Sequence, residues 1–92
     1  MRIRWNPKAD KDLEHVEAYI SQDSPSAAIK VILDIITQVE QLRNFPALGR
    51  AGRVVGTREL VISGKPYLVP YRIKENAVEI LRVFHTSRKI EV

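Results

Sequence analysis

Polar and apolar residues alternate at Arg2-Ile3-Arg4-Trp5, a period-2 pattern that predicts a short first strand with Ile3 and Trp5 on one face. Asn6-Pro7 follows and reads as a helix start. Asn accepts from free first-turn amides, and Pro at the first helical position has no N–H to leave unsatisfied. From there Ala9, Leu13, Val16 and Ile20 recur at helical spacing. The opposite face carries Lys8, Asp12, Glu14 and His15, and the acids early in this helix read as a solvated face that compensates the helix dipole. Ser24-Pro25 repeats the start signal, and Ala28, Val31, Ile32, Ile35, Ile36, Val39 and Leu42 continue at 3–4 spacing. The link Ser21-Gln22-Asp23 has room only for a tight connection between adjacent antiparallel helices. Residues 7–44 therefore predict a helical hairpin, ended by Pro46 and a loop over 46–57 that contains Gly49, Gly52 and Gly56.

The period then changes. Arg58-Glu59-Leu60-Val61-Ile62, Tyr67 to Ile73 and Ala77 to His85 predict three strands, joined by turns at Ser63-Gly64-Lys65-Pro66 and Lys74-Glu75-Asn76. Pro70 lacks a ladder donor and predicts a local break in its strand. Tyr67 and Tyr71, four apart, share a side of that strand and read as core. The order β-α-α-β-β-β gives an α+β fold: one domain over residues 1–92, a helical hairpin on one face of a small, mainly antiparallel sheet. The last strand is apolar at both parities, so the sheet's second face is expected to be covered by something else.

Composition sharpens this picture in one respect. Among the 92 residues, 15 are Lys or Arg and 11 are Asp or Glu, a net charge of +4. Residues 1–45 carry a balance of −1 and residues 46–92 a balance of +5, so the whole basic excess lies in the second half. That asymmetry favours an anionic partner, either nucleic acid or an acidic protein segment. Cys is absent, which removes disulfides, thiolate metal sites and Cys nucleophiles. No apolar run suits a membrane span, and the polar start is unlike a secretory signal. A cytoplasmic location is expected.

The sequence holds no P-loop, GxSxG or HExxH pattern. His15 and His85 are the only histidines, so no metal site and no cofactor is expected. The candidate chemistry is a basic cluster of Arg58, Lys65, Arg72, Arg82, His85, Arg88 and Lys89. Cations of this kind stabilise charge on a phosphate in transfer, while His or Tyr can move protons; the same residues serve plain phosphate contacts. Each also has an ordinary structural reading. Arg58, Lys65 and Lys89 suit a solvated surface, Arg72 a turn flank, Arg82 an ion pair with a neighbouring acid, and His85 a hydrogen bond at a strand end.

Five segments in order resemble the RelE/ParE superfamily of bacterial type II toxin–antitoxin toxins over nearly the whole length. Trp5 to Leu13 is similar to that family's strand-to-helix opening, and Phe45-Pro46-Ala47-Leu48-Gly49-Arg50 to its FPxxGR. Gly56 to Val61 matches G-x-RELV, and Tyr67 to Ile73 resembles YxIxYRV with a proline inserted at an apolar position. Val78 to Arg88 looks like VEILRVLHxxR. The resemblance implies a cytoplasmic growth-inhibiting toxin in a hetero-oligomer with an acidic, partly disordered antitoxin, whose C-terminal segment wraps the toxin.

Two branches are implied. ParE-like members poison DNA gyrase by binding; RelE-like members cut messenger RNA on the ribosome without a metal. Arg58 and Arg88 match basic positions of the nuclease branch. Leu60 and Leu68 stand where that branch carries a further Lys and Arg, and no tyrosine follows Arg88. Each lost cation of this kind costs about 10²-fold in rate. The expected function is therefore gyrase poisoning, with Arg58, Arg72, Arg82 and Arg88 contacting target or antitoxin. In the alternative, a ribosome-dependent ribonuclease, Arg58, His85 and Arg88 are the catalytic set.

Overall fold

The structure is a computed structural model and describes residues 1–87. Strand β1 (Arg2–Trp5) leads into helices α1 (Pro7–Ser21) and α2 (Pro25–Glu40), extended by one 3-10 turn at Gln41–Arg43. The strands β2 (Arg50–Ala51), β3 (Arg58–Val61), β4 (Tyr67–Lys74), β5 (Ala77–Ile80) and β6 (Phe84–His85) follow. The helix starts are built as their residue types dictate: Asn6 Oδ1 accepts from Lys8 N at 2.9 Å and Ser24 Oγ from Ala27 N at 3.2 Å. β1 pairs with β5 in parallel, whereas β2–β3, β3–β4, β4–β5 and β4–β6 are antiparallel. The sheet order is β1-β5-β4-β3-β2, with β6 beside β4. The fold is thus α+β on a mixed, mainly antiparallel sheet.

One sheet face meets the helices. Ala9, Ile35, Val39 and Leu42 pack with Leu60, Ile62, Tyr67, Val69, Tyr71, Val78, Ile80 and Val83, and Ile3, Trp5, Leu13 and Val16 close the margin. Both tyrosines are core, as their spacing indicated. Each fully buried aliphatic side chain here contributes about 1.5–3 kcal/mol. By alternation, Glu59, Leu68, Pro70, Arg72 and Glu79 lie on the opposite, outer face.

The break attributed to Pro70 falls on its neighbour instead. β4 runs through Pro70 without interruption, and the strand expected over Ala77–His85 is split into β5 and β6. Tyr71 opposes Ile80 while Leu68 opposes Phe84, so Val69 and Pro70 face three residues, Leu81 to Val83. This is a one-residue bulge. The Pro70 carbonyl accepts from Leu81 N at 2.9 Å, which shows the side on which a ladder N–H at residue 70 would have pointed. The missing donor faces the bulge, where no regular acceptor is required. The turn after β4 is tighter than expected: Lys74 belongs to the strand, and Glu75 and Asn76 both take positive φ (54° and 59°), the geometry of a two-residue hairpin turn that matches strand twist. β2 carries no strand pattern of its own; it exists because Arg50 and Ala51 register against Glu59 and Arg58.

Candidate functional site

On the outer face Pro70, Leu81 and Phe84 form the apolar floor of a groove of about 520 Å³. One wall is the loop between β2 and β3, with Val54, Val55, Gly56 and Thr57; Lys8, Arg53, Arg72 and Arg82 supply cationic edges. The loop holds its own shape. Gly52 N donates to Thr57 O at 2.8 Å and Thr57 Oγ1 to Val54 O at 2.6 Å. A Cβ at Gly52 would lie 2.2 Å from Thr57 Oγ1 and 2.9 Å from its carbonyl, so only glycine permits the closure. Val55 projects at 99% exposure. Glu59, buried at the base, ties the loop to the sheet: it accepts from Arg50 Nη2 at 3.3 Å and from Arg53 N at 3.1 Å.

The arginines singled out by sequence are placed by other parts of the chain. Arg72 Nε donates to Glu79 Oε1 across the β4–β5 pair at 2.6 Å. That bond, with lesser help from Arg4 and Asn6, holds the Glu79 carboxyl below the usual carboxylate range against the opposing effect of burial. The bulge after β5 turns Val83 into the core and delivers Arg82 to α1. There Arg82 Nε and Nη2 donate to Asp12 at 2.8 and 3.1 Å, and Val83 N adds a bond at 2.9 Å. The Asp12 hydrogen bond raises the Arg82 pKa further. Asp12 is thus a paired, mostly buried acid rather than part of a solvated face, and the ion-pair reading of Arg82 holds. The Arg82 guanidinium also stacks 4.7 Å from the Phe84 ring centre. Lys65 pairs with Asp34 at 3.6 Å.

Arg58 points away from the groove. Its Nη1 donates to the Gly49 carbonyl at 2.9 Å and the Ala47 carbonyl at 3.4 Å. The same loop is held by Tyr71, whose hydroxyl donates to Pro46 O at 2.7 Å and accepts from Gly49 N at 2.8 Å. A Cβ on Gly49 would sit 2.6 Å from Tyr71 Cε1. The FPxxGR segment is therefore a cradle for Tyr71, and burial pushes the phenol pKa up. Glycine at 49 leaves the room that the Tyr71 ring occupies.

His85 also lies off the groove. Its ring meets Tyr67 edge-on at 5.3 Å, and its Nδ1 accepts from Ser87 N at 3.1 Å. It lines a separate cleft together with His15. Arg58 and His85 thus do not share a cavity. Arg88 and Lys89 lie outside the described residues. Among the described residues no cluster of three or more His, Asp or Glu side chains is placed to hold a metal ion, and no helix is long and apolar enough to cross a membrane. Sequence reasoning missed Arg53, Val54, Val55 and Phe84 as groove residues. The one available signal was the Val54-Val55 pair in a glycine-bounded loop, where apolar residues have no core to enter.

The family model for the ParE toxin of the type II parDE toxin–antitoxin system matches residues 3–90. The chain belongs to the ParE toxin family. It is 47% identical over 88 residues to the Y4kP protein of Sinorhizobium fredii, covering 96% of this chain and 91% of that protein. Toxin RelE2 of Caulobacter vibrioides is 33% identical over 87 residues, covering 95% of this chain and 97% of that protein. Among solved structures, the chromosomal ParDE system from P. aeruginosa superposes with a TM-score of 0.87 at 31% identity, covering 95% of this chain and 97% of that one. The RelBE2 toxin–antitoxin complex from Mycobacterium tuberculosis gives 0.55 at 25% identity, covering 91% and 95%. The RelE/ParE-like helical hairpin and sheet expected from the sequence are this family's fold.

Proposed function

We propose that this ParE-family chain inhibits growth in the cytoplasm by binding and poisoning DNA gyrase, with no chemistry of its own, and is neutralised by an acidic antitoxin. The observation that carries this reading is the outer-face groove: an apolar floor at Pro70, Leu81 and Phe84 inside a rim of Lys8, Arg53, Arg72 and Arg82. Such a surface suits a macromolecule that brings apolar anchors and acidic flanks, where buried contacts give affinity and charge steers approach. Both ParDE and RelBE2 are toxin–antitoxin assemblies, which supports an antitoxin for this chain.

The absence of convergence between Arg58 and His85 supports binding over catalysis. The Arg58 guanidinium is held on the Gly49 and Ala47 carbonyls, while His85 lines a cleft that Arg58 does not reach. Supercoiling by purified gyrase tests the reading directly: the protein should suppress it or trap cleaved DNA. Intact supercoiling together with cleavage of messenger RNA on translating ribosomes, lost in His85→Ala or Arg88→Ala, would replace it with the ribonuclease alternative.

Arg58, Arg72, Arg82 and Arg88 are the proposed target or antitoxin contacts. The triple variant Arg58→Ala, Arg82→Ala, Arg88→Ala should be less toxic while still folded by circular dichroism. Unchanged toxicity would remove this assignment.

A further inference from the structure

At one end of the sheet the short strand β2 covers only the first half of β3, with Ala51 opposite Arg58 and Arg50 opposite Glu59. Among the described residues no strand lies beside Leu60 and Val61 on that side. Which backbone groups face outward there follows from the register. Ile62 N donates to Tyr67 O at 2.9 Å across the β3–β4 hairpin. Backbone groups on an antiparallel strand alternate in direction residue by residue. Leu60 and Ile62 therefore point theirs at β4, while Glu59, Val61 and Ser63 point theirs away from it.

The three outward residues meet different fates. Glu59 faces β2. Ser63 faces a side chain: its N–H donates to Gln38 Oε1 at 2.7 Å, and Gln38 Nε2 donates to the Ser63 carbonyl at 3.1 Å. A primary amide carries one acceptor and one donor side by side, as a peptide group does. Gln38, reaching across from α2, thus stands where a residue of a next strand would stand. Val61 lies between these two covers, at a notch of about 340 Å³. Its walls include the half-exposed side chains of Leu48 and Val61. One outward residue is too little to hold an added strand.

Without Gln38 the uncovered run would be Val61 and Ser63, two donors and two acceptors beside apolar side chains. Such an edge is self-complementary. In an antiparallel pair about a two-fold axis, Val61 of each copy opposes Ser63 of the other, and every open donor finds an acceptor.

We propose that Gln38 is an edge guard: its carboxamide takes the place of a neighbouring strand at Ser63 and keeps a second copy of this chain from adding to β3. Sheet edges elsewhere are protected by charges, bulges or short strands; here a side chain that imitates a strand completes what β2 leaves open.

The test uses the full chain, with mass read by analytical ultracentrifugation over a concentration series and folding checked by circular dichroism. Wild type should stay monomeric. Gln38→Ala keeps a good helix former in α2 and leaves the Ser63 groups to water; its mean mass should rise about twofold with concentration as pairs form. Adding Val61→Lys should return it to a monomer, because two lysines then stand diagonally across the pairing. A merely structural role for Gln38 would not give that rescue. A Gln38→Ala protein that stays monomeric, a wild type that associates equally, or a double variant that associates as fully as Gln38→Ala would each overturn the proposal. Hydrogen exchange on the wild type checks the same arrangement without substitution, and decides if Gln38→Ala fails to fold. The Ser63 amide should exchange at least about tenfold more slowly than that of Val61; equal rates would overturn the guard.

Discussion

Arg82 and Asp12, 70 residues apart in the chain, meet as a two-pronged ion pair with Nε–Oδ2 at 2.8 Å and Nη2–Oδ1 at 3.1 Å. The pair fastens α1 to the bulge opposite Pro70. Asp12 carries a further bond from Val83 N, so its loss strands both a guanidinium and a half-buried amide. Asp12→Ala should cost about 2 kcal/mol by urea unfolding. Arg82→Ala should cost less, since the carboxylate keeps the amide. A loss below about 0.5 kcal/mol for Asp12→Ala would show that the pair is ornamental.

Tyr71→Phe removes one hydroxyl but orphans two groups, the Gly49 N–H and the Pro46 carbonyl. A cost of about 1–3 kcal/mol is expected. Gly49→Ala should cost a similar amount by a different route, because the new methyl meets Tyr71 Cε1 and the Glu59 carbonyl. Thermal melts of the two variants check both.

Glu79 sets an acid-side prediction. Its carboxyl is more acidic in the folded state than in the unfolded chain, chiefly through the Arg72 hydrogen bond. Its contribution is therefore fully present above the unfolded value of about 4.3 and is lost as pH falls through the lower folded value. The wild-type melting temperature should drop as pH falls below about 4.3. Glu79→Gln should start lower and show a shallower drop over that window; parallel curves would remove Glu79 as a source of the acid lability.

Val55 separates binding from folding. It is 99% exposed and packs on nothing, so Val55→Asp should leave stability within about 0.5 kcal/mol. If the loop wall engages the antitoxin, affinity should fall about tenfold, an apolar contact being replaced by a charge that repels an acidic segment. Calorimetry beside a urea titration reads both quantities on one preparation.

The parts of the fold that were legible in the sequence are those controlled by neighbours along the chain. Asn6-Pro7 and Ser24-Pro25 start their helices because a side-chain cap and a missing N–H act within one turn. The stripes through Leu13, Val16, Ile35 and Val39 reach the core because helical spacing alone puts them on one face. The Tyr67–Tyr71 spacing identified core tyrosines for the same reason. The five family motifs located the chain among type II toxins, while the physical work of two of them stayed hidden: Gly49 is required by Tyr71, and Glu59 anchors the loop that walls the groove.

By itself the amino-acid order determined the α+β class, the helical hairpin on one sheet face and the basic second half. Only the tertiary structure decided which group each cation meets and where the open surfaces lie. Arg72, Arg82 and Arg58 look alike as members of a basic cluster, yet the first finds Glu79 across a strand pair, the second Asp12 across 70 residues, and the third two loop carbonyls. His15 and His85 come to line one cleft for the same reason. Helix and strand periods fix which way a side chain faces, whereas partnership between charges depends on distances that close only when the sheet, its bulge and the helices are packed together.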